Sequence, residues 1–294
     1  MLTVPGTPPG GGRVAQIVVL LDTSPLAEEA LPWAALLARA QGAGLHLVTV
    51  EHEGHALSDE IDSVLAYLNR VASAEDLDGL RVSVELRKGE VLDEVIATVS
   101  ERDTAAVVMT SHGRGGLSRI FLGSVAERLV RTLDVPVMVQ RRGSAAAALD
   151  RILVTLDGTE AAEEALAPAR ALAAQAGAEL VLLSVYADHP ETHISQYPGM
   201  DFLGAHVEEM EAAAGAYLNS RAVAGERWEA LPGRPLDVIV HFARDEDCDL
   251  IVMATHGRGG LVHLALGGTS DGVMRAADRP VLFIPARGDD EPAG

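Results

Sequence analysis

The chain repeats itself. IVVLLDTSPLAEEAL, from Ile17, lies over ILVTLDGTEAAEEAL, from Ile152, without a gap, and Asp22 falls on Asp157. FLGSVAERLVRTLDVPVMV, from Phe121, lies over ALGGTSDGVMRAADRPVLF, from Ala265, so Gly123 falls on Gly267 and Pro136 on Pro280. The hexapeptide HGRGGL stands at His112–Leu117 and again at His256–Leu261. Whatever the first half folds into, the second half must be able to fold into as well. The spacing is 135 positions from Ile17 to Ile152 and 144 from Phe121 to Ala265, so the second half carries extra residues in its middle, assigned to DHPETHISQYPGM. RRGSAAAALD reads as a linker. We therefore expect two domains, over residues 14–142 and 150–286, in a chain of 294 residues.

Each half alternates two patterns. In the first half QIVVLLD, LHLVTV, RVSVELR, AAVVMT and VPVMVQ are short runs of strand character. The apolar ones suit strands covered on both faces. Between them lie helix patterns such as DEIDSVLAYLNRVASAED, EVLDEVIATVSERD and SVAERLVRTL. Strand–helix alternation with short links gives a parallel sheet with right-handed crossovers. The expected fold is α/β: two tandem flavodoxin-like or Rossmann-like sandwiches, each with a five-stranded parallel sheet. Thr23 or Ser24 can cap the first helix, with Pro25 in its first turn. Pro32 falls inside that helix pattern, and Pro168 falls one position off in the second copy. An interior proline kinks or breaks a helix, so either the helix bends there or the register is looser than drawn.

Composition excludes some functions. Asp and Glu number 43 against 23 Lys and Arg, for a formal charge of -20. Such a surface repels phosphate backbones, so neither nucleic acid nor an anionic membrane is an expected partner. No apolar run approaches the roughly 18 residues of a membrane helix, and MLTVPGTPPGGGR lacks the apolar stretch of a signal peptide. Cys248 is the one cysteine, which fits a cytoplasmic, reducing setting. Its acidic neighbours raise a thiol pKa, so it is expected to be inert or half-buried.

Ligands of open parallel sheets bind beyond the carboxyl ends of the strands, where the strand order reverses. Both HGRGGL loops leave the fourth strand of their half, and Asp22 and Asp157 leave the first. If those strands are neighbours, carboxylate and loop face each other. Gly113, Gly115 and Gly116 free the backbone to turn its N–H groups onto an anion, and Arg114 adds a fork suited to phosphate. Gly123 and Ser124 open the next helix, whose N-terminus also favours phosphate. The carboxylate suits the hydroxyls or base of a nucleoside. An anion site beside a hydroxyl or base site describes a nucleotide. Two plainer readings stay open: a glycine-rich loop can be only a tight turn, and the Asp can be only a helix cap. For His112 and His256, ligand contact and helix-end packing are equally open.

These residues resemble the universal stress protein family. Its nucleotide motif is Gly, two residues, Gly, nine residues, Gly-Ser/Thr, after an Asp at the end of the first strand. Gly113 and Gly123-Ser124 match, as do Gly257 and Gly267. Thr110 and Ala254 stand at the first glycine, and Gly268 stands where Ser or Thr is expected. The resemblance implies a tandem member of the ATP-binding branch, holding ATP with Mg²⁺ or Mn²⁺ through the phosphates. It implies nucleoside contacts at Asp22, Val50 and Met109, and at Asp157, Val185 and Met253. Phosphate contacts would come from Gly113, Gly123, Ser124 and Val125, and from Gly257, Gly267, Gly268 and Thr269. Thr110, His112, Arg114 and Gly116 join the first site, and Ala254, His256, Arg258 and Gly260 the second. Single-domain members dimerise through their last strands. The two halves are thus expected to form an intrachain pseudo-dimer, with a homodimer and an unknown protein partner left open.

No catalytic residue and no metal-ligating cluster is assigned. His52 and His55, and His189 and His193, lie in polar sequence without cysteine and read as solvated surface. Ser124 has no recognisable Ser-His-Asp setting, and neither loop carries a Walker A lysine. Hydrolysis is therefore expected to be slow at most. Two functions follow: an ATP-binding stress-response or regulatory sensor, or an interaction module of the same fold that works without nucleotide.

Overall fold

The structure, a computed structural model, describes residues 14–51, 58–111, 124–141, 149–186, 201–255 and 268–286. The chain divides between Ala148 and Leu149 into two compact units, and Pro280–Pro285 counts with the first.

Unit 1 contains β1 (Gln16–Leu20), β2 (Gly44–Glu51), β3 (Val82–Lys88), β4 (Thr104–Thr110) and β5 (Val137–Gln140). Ile17, Val18 and Val19 are fully buried, as a run of β-branched residues covered on both sides should be. The strands lie in the order β3-β2-β1-β4-β5 and are parallel. This is the strand order of the Rossmann-type doubly wound sheet. The helices are α1 (Pro25–Glu28), α2 (Leu31–Gln41), α3 (Ser58–Ala72), α4 (Val91–Glu101) and α5 (Ser124–Thr132). The chain steps outward from β1 to β3, then returns to β4 and β5. Right-handed crossovers therefore put α2 and α3 on one face, and α4 and α5 on the other. Few aromatics are available, so small residues bring α2 close to the sheet: Ala34, Ala35 and Ala38 are buried beside Trp33 and Leu37. Gly42, at φ 62, ends that helix in the left-handed conformation.

Pro32 breaks what the sequence pattern draws as one helix. The segment is two helices, and Pro32 sits in the first turn of α2, where its missing N–H costs nothing. The second copy does the same with α6 (Glu160–Glu163) and α7 (Leu166–Ala176), Pro168 being the third residue of α7.

Unit 2 contains β6 (Arg151–Leu156), β7 (Glu179–Tyr186), β8 (Arg227–Pro232) and β9 (Leu250–Thr255). They are parallel, in the order β9-β6-β7-β8. Its other helices are α8 (Asp201–Arg221), α9 (Pro235–Asp245) and α10 (Gly268–Ala276). All five strands expected of each half form. The last, β10 (Val281–Pro285), counts with unit 1 and runs antiparallel to β5, pairing Val281 with Val139, Leu282 with Met138 and Phe283 with Val137. The extra segment DHPETHISQYPGM lies outside the described residues.

Candidate functional site

In unit 1 the strand order reverses between β1 and β4, which are direct neighbours. The helix layers leave for opposite faces on the two sides of that point, so a crevice opens beyond the strand ends. A cavity of about 250 Å³ lies there. The exit of β1 gives it Leu20, Leu21 and Asp22, β2 gives Val48 and Val50, and α4 gives Val91 and Val95. β4 and its exit give Met109, Thr110 and Ser111, and the start of α5 gives Val125 and Ala126. The walls are aliphatic and the polar groups few, as in most small-molecule sites. Val125 and Ala126 belong to the first turn of α5, whose backbone N–H groups lack helical partners and carry partial positive charge.

Asp22 does two things. Its Oδ1 accepts from the Ser24 backbone N–H at 3.0 Å and from the Ser24 hydroxyl at 2.5 Å. Ser24 is the helix cap, and its Oγ accepts from the Ala27 N–H at 3.2 Å. The carboxylate also lines the cavity. Thr23, between them, is forced to φ 65, a conformation costly for a β-branched residue. Unit 2 builds the same turn: Thr159 donates from its backbone N–H at 3.0 Å and its hydroxyl at 2.6 Å to Asp157 Oδ1, and Gly158 takes φ 87. The helix caps are thus Ser24 and Thr159, and Asp22 and Asp157 hold the cap residues rather than being caps themselves; in unit 1 Asp22 also lines the cavity.

Of the residues expected at the first site, Asp22, Val50, Met109, Thr110 and Val125 come together around this cavity. Ser124 begins α5. His112, Gly113, Arg114, Gly116 and Gly123 lie outside the described residues. In unit 2, β6 and β9 are neighbours, as β1 and β4 are in unit 1. Asp157 is exposed, Val185 and Ala254 are half-buried and Met253 is buried. Gly268 and Thr269 begin α10. His256, Gly257, Arg258, Gly260 and Gly267 lie outside the described residues, as do His52, His55, His189 and His193. Among the described residues no group of His, Cys, Asp and Glu gathers as a metal site.

Sequence reasoning missed Leu20, Leu21, Ala27, Val48, Val91, Val95, Ser111 and Ala126. Val48 was within reach: it stands two residues before Val50, so both face the same side of β2. Val91 and Val95 share one face of α4, but nothing local says that this face closes the crevice. Glu127 in the first turn of α5 receives Arg131 at 2.8 Å, and Asp271 in the first turn of α10 receives Arg275 at 3.0 Å. Each acidic residue near a helix N-terminus thus has a cation one turn later.

The universal stress protein family model matches residues 14–141 and 148–285, the two sequence copies. The chain belongs to the universal stress protein family. It is 31% identical to a universal stress protein of Mycobacterium tuberculosis over 228 residues, 73% of this chain and 74% of that protein. With another universal stress protein of M. tuberculosis it shares 27% identity over 305 residues, 92% of this chain and 97% of that one. The crystal structure of a universal stress protein from Archaeoglobus fulgidus superposes with a TM-score of 0.65 at 21% identity, covering 92% of this chain and 98% of that one. That likeness concerns the fold.

Proposed function

We propose that this universal stress protein binds adenine nucleotide as a regulatory sensor, with the nucleoside of ATP in the unit 1 cavity. The observation that carries this is the cavity itself: aliphatic walls, Asp22 and the first turn of α5 in one lining. A flat base would be desolvated between Val48, Val95 and Met109. Asp22 suits hydroxyl donors of a ribose. The N-terminus of α5 suits phosphates, and the glycines of HGRGGL are assigned to them from the sequence. Mg²⁺ or Mn²⁺ would be held through those phosphates. No described residue is assigned as a catalytic base, and hydrolysis is proposed to be slow at most. The single cysteine supports a cytoplasmic setting.

Thr110 favours the second reading, an interaction module without nucleotide. It lines the cavity with a branched side chain where the family motif has glycine. One experiment separates the two. The purified protein is melted with and without millimolar ATP and Mg²⁺, and denatured protein is assayed for released adenine nucleotide. Ligand at 100 times its Kd should add roughly 2.7 kcal/mol. An unmoved melting curve and no released nucleotide would leave the interaction module as the function.

A further inference from the structure

Arg87 stands on β3, paired in register with Val50 of the cavity wall. Its side chain is 11% exposed. Nε donates to Glu85 Oε1 at 3.1 Å, Nη1 donates to Glu94 Oε2 at 3.2 Å, and Nη2 reaches Glu101. Glu94 and Glu101 belong to α4. Glu94 lies between Val91 and Val95, the two residues that α4 turns toward the cavity. One guanidinium therefore ties the sheet to the helix that closes the site. Glu85 is itself held by Arg102 Nη2 at 2.7 Å and by His46 at 2.9 Å, so the sheet end of the tie is fixed.

Unit 2 has uncharged residues at the places of Arg87 and Glu94, and its own sheet-to-helix ion pair runs instead from Arg227 of β8 to Glu246, the C-cap of α9, at 2.6 Å. Leu231 pairs with Val185 as Arg87 pairs with Val50. Val238 lies against Gly233, 2.9 Å from where a Cβ would be, as Glu94 lies against Gly89 at 2.9 Å. The fold thus forms with an apolar pair at these positions. Polar groups replacing such a pair commonly add little stability. What they add is an attachment that depends on charge and salt, which apolar side chains at these positions do not supply.

We propose that Arg87 and Glu94 are positioning residues for the unit 1 cavity, an ionic latch that sets how closely α4 stands over β2. For its ligand arm the proposal rests on the nucleotide reading above. The test uses the full chain and three variants: Glu94→Gln, Arg87→Lys, and the double exchange Arg87→Leu/Glu94→Val that imports the unit 2 pair. Amide hydrogen exchange is followed without ligand at low and high salt, and ATP with Mg²⁺ is titrated calorimetrically. In the wild type, exchange in α4 should quicken with salt while β1 and β4 stay protected. Glu94→Gln should quicken it at low salt and weaken ATP binding by about fivefold, with the melting temperature nearly unchanged. Arg87→Lys should fall between the two. The double exchange should restore protection and remove the salt dependence. Exchange in α4 that ignores both salt and Glu94→Gln overturns the latch. Faster exchange with unaltered ATP affinity overturns its positioning role. If the wild type takes no ATP, the nucleotide reading falls, and salt-dependent α4 exchange still supports the latch.

Discussion

His46 is fully buried on β2. Nε2 lies 2.9 Å from Glu85 Oε2 and Nδ1 lies 2.9 Å from Ser83 Oγ. A carboxylate only accepts, so Nε2 carries the proton and Nδ1 accepts from the hydroxyl. Burial, and then the nearby Arg102, lower the imidazole pKa from 6.5 to about 4, against the upward pull of Glu85. The unfolded chain therefore binds more protons between those values. Stability from this residue is full above pH 6.5 and lost as pH falls to about 4. The amount is about 3 kcal/mol. Burial pushes the Glu85 carboxyl up, but hydrogen bonds from Arg102 and His46 outweigh it and hold it below the ordinary range. Its stabilisation is lost further down, with the same sign. Urea unfolding of unit 1 should thus weaken steeply from about pH 6.5 downward, and His46→Gln should flatten the upper part of that slope. Equal slopes in the two proteins would remove His46 as the cause. Cys248 offers a simpler check. It is fully buried, and burial pushes its thiol up to about 12. Burial, more than its acidic neighbours, is the cause. A thiol reagent should leave the native protein unlabelled and label the urea-unfolded chain stoichiometrically.

At the scale of elements, the turn from Asp22 to α1 is the clearest repeated device. Ser24 and Thr159 each cap a four-residue helix and each donate to the preceding Asp. Ser24→Ala and Thr159→Ala should each cost about 1 kcal/mol, read as a shift in denaturation midpoint. A null effect of both would show that the short helices contribute nothing to stability. The cap was legible because its chemistry is local: Asp, a turn residue, then a hydroxyl before a run rich in Ala and Glu. The strands were legible for a similar reason, since runs such as QIVVLLD can only be buried. The order of the strands was not, yet the assumption that β1 and β4 are neighbours proved correct and located the crevice. Pro32 was visible as a conflict, but its resolution, a break and a new first turn, depends on how α2 packs beside β1. The share of the cavity supplied by α4 was hidden because Val91 lies 69 positions after Asp22, and only the crossover brings them together. The ion cluster around Arg87 was likewise hidden: Arg87, Glu94 and Glu101 are ordinary charged residues until β3 and α4 are stacked.

For the whole molecule, the pairing of β5 with β10 means that the last strand of the second sequence copy completes unit 1. A chain cut within RRGSAAAALD leaves the first fragment without β10, exposing the edge of β5. The two fragments should associate with themselves or each other in sedimentation; two strictly monomeric, soluble fragments would contradict this. The copies should also differ as sites. The repeat sets Thr155 at the place of Leu20, Thr269 at Val125 and Ser270 at Ala126. Thr155 and Ser270 are buried, and Asp157 is exposed where Asp22 is half-buried. A base entering unit 2 would meet hydroxyls where unit 1 offers aliphatic wall, and would lose apolar contact. One such loss is worth about 1 kcal/mol or more, so binding to unit 2 should be weaker by roughly tenfold. Val50 and Val185 are half-buried at matching register positions, so a larger side chain can be placed there without overpacking a sealed core. Calorimetric titration with ATP and Mg²⁺ should show one tight phase in the wild type. Val50→Trp should abolish it, and Val185→Trp should leave it intact. The opposite pattern would place the tighter site in unit 2, and loss in neither would remove the nucleoside from the β1/β4 crevice altogether.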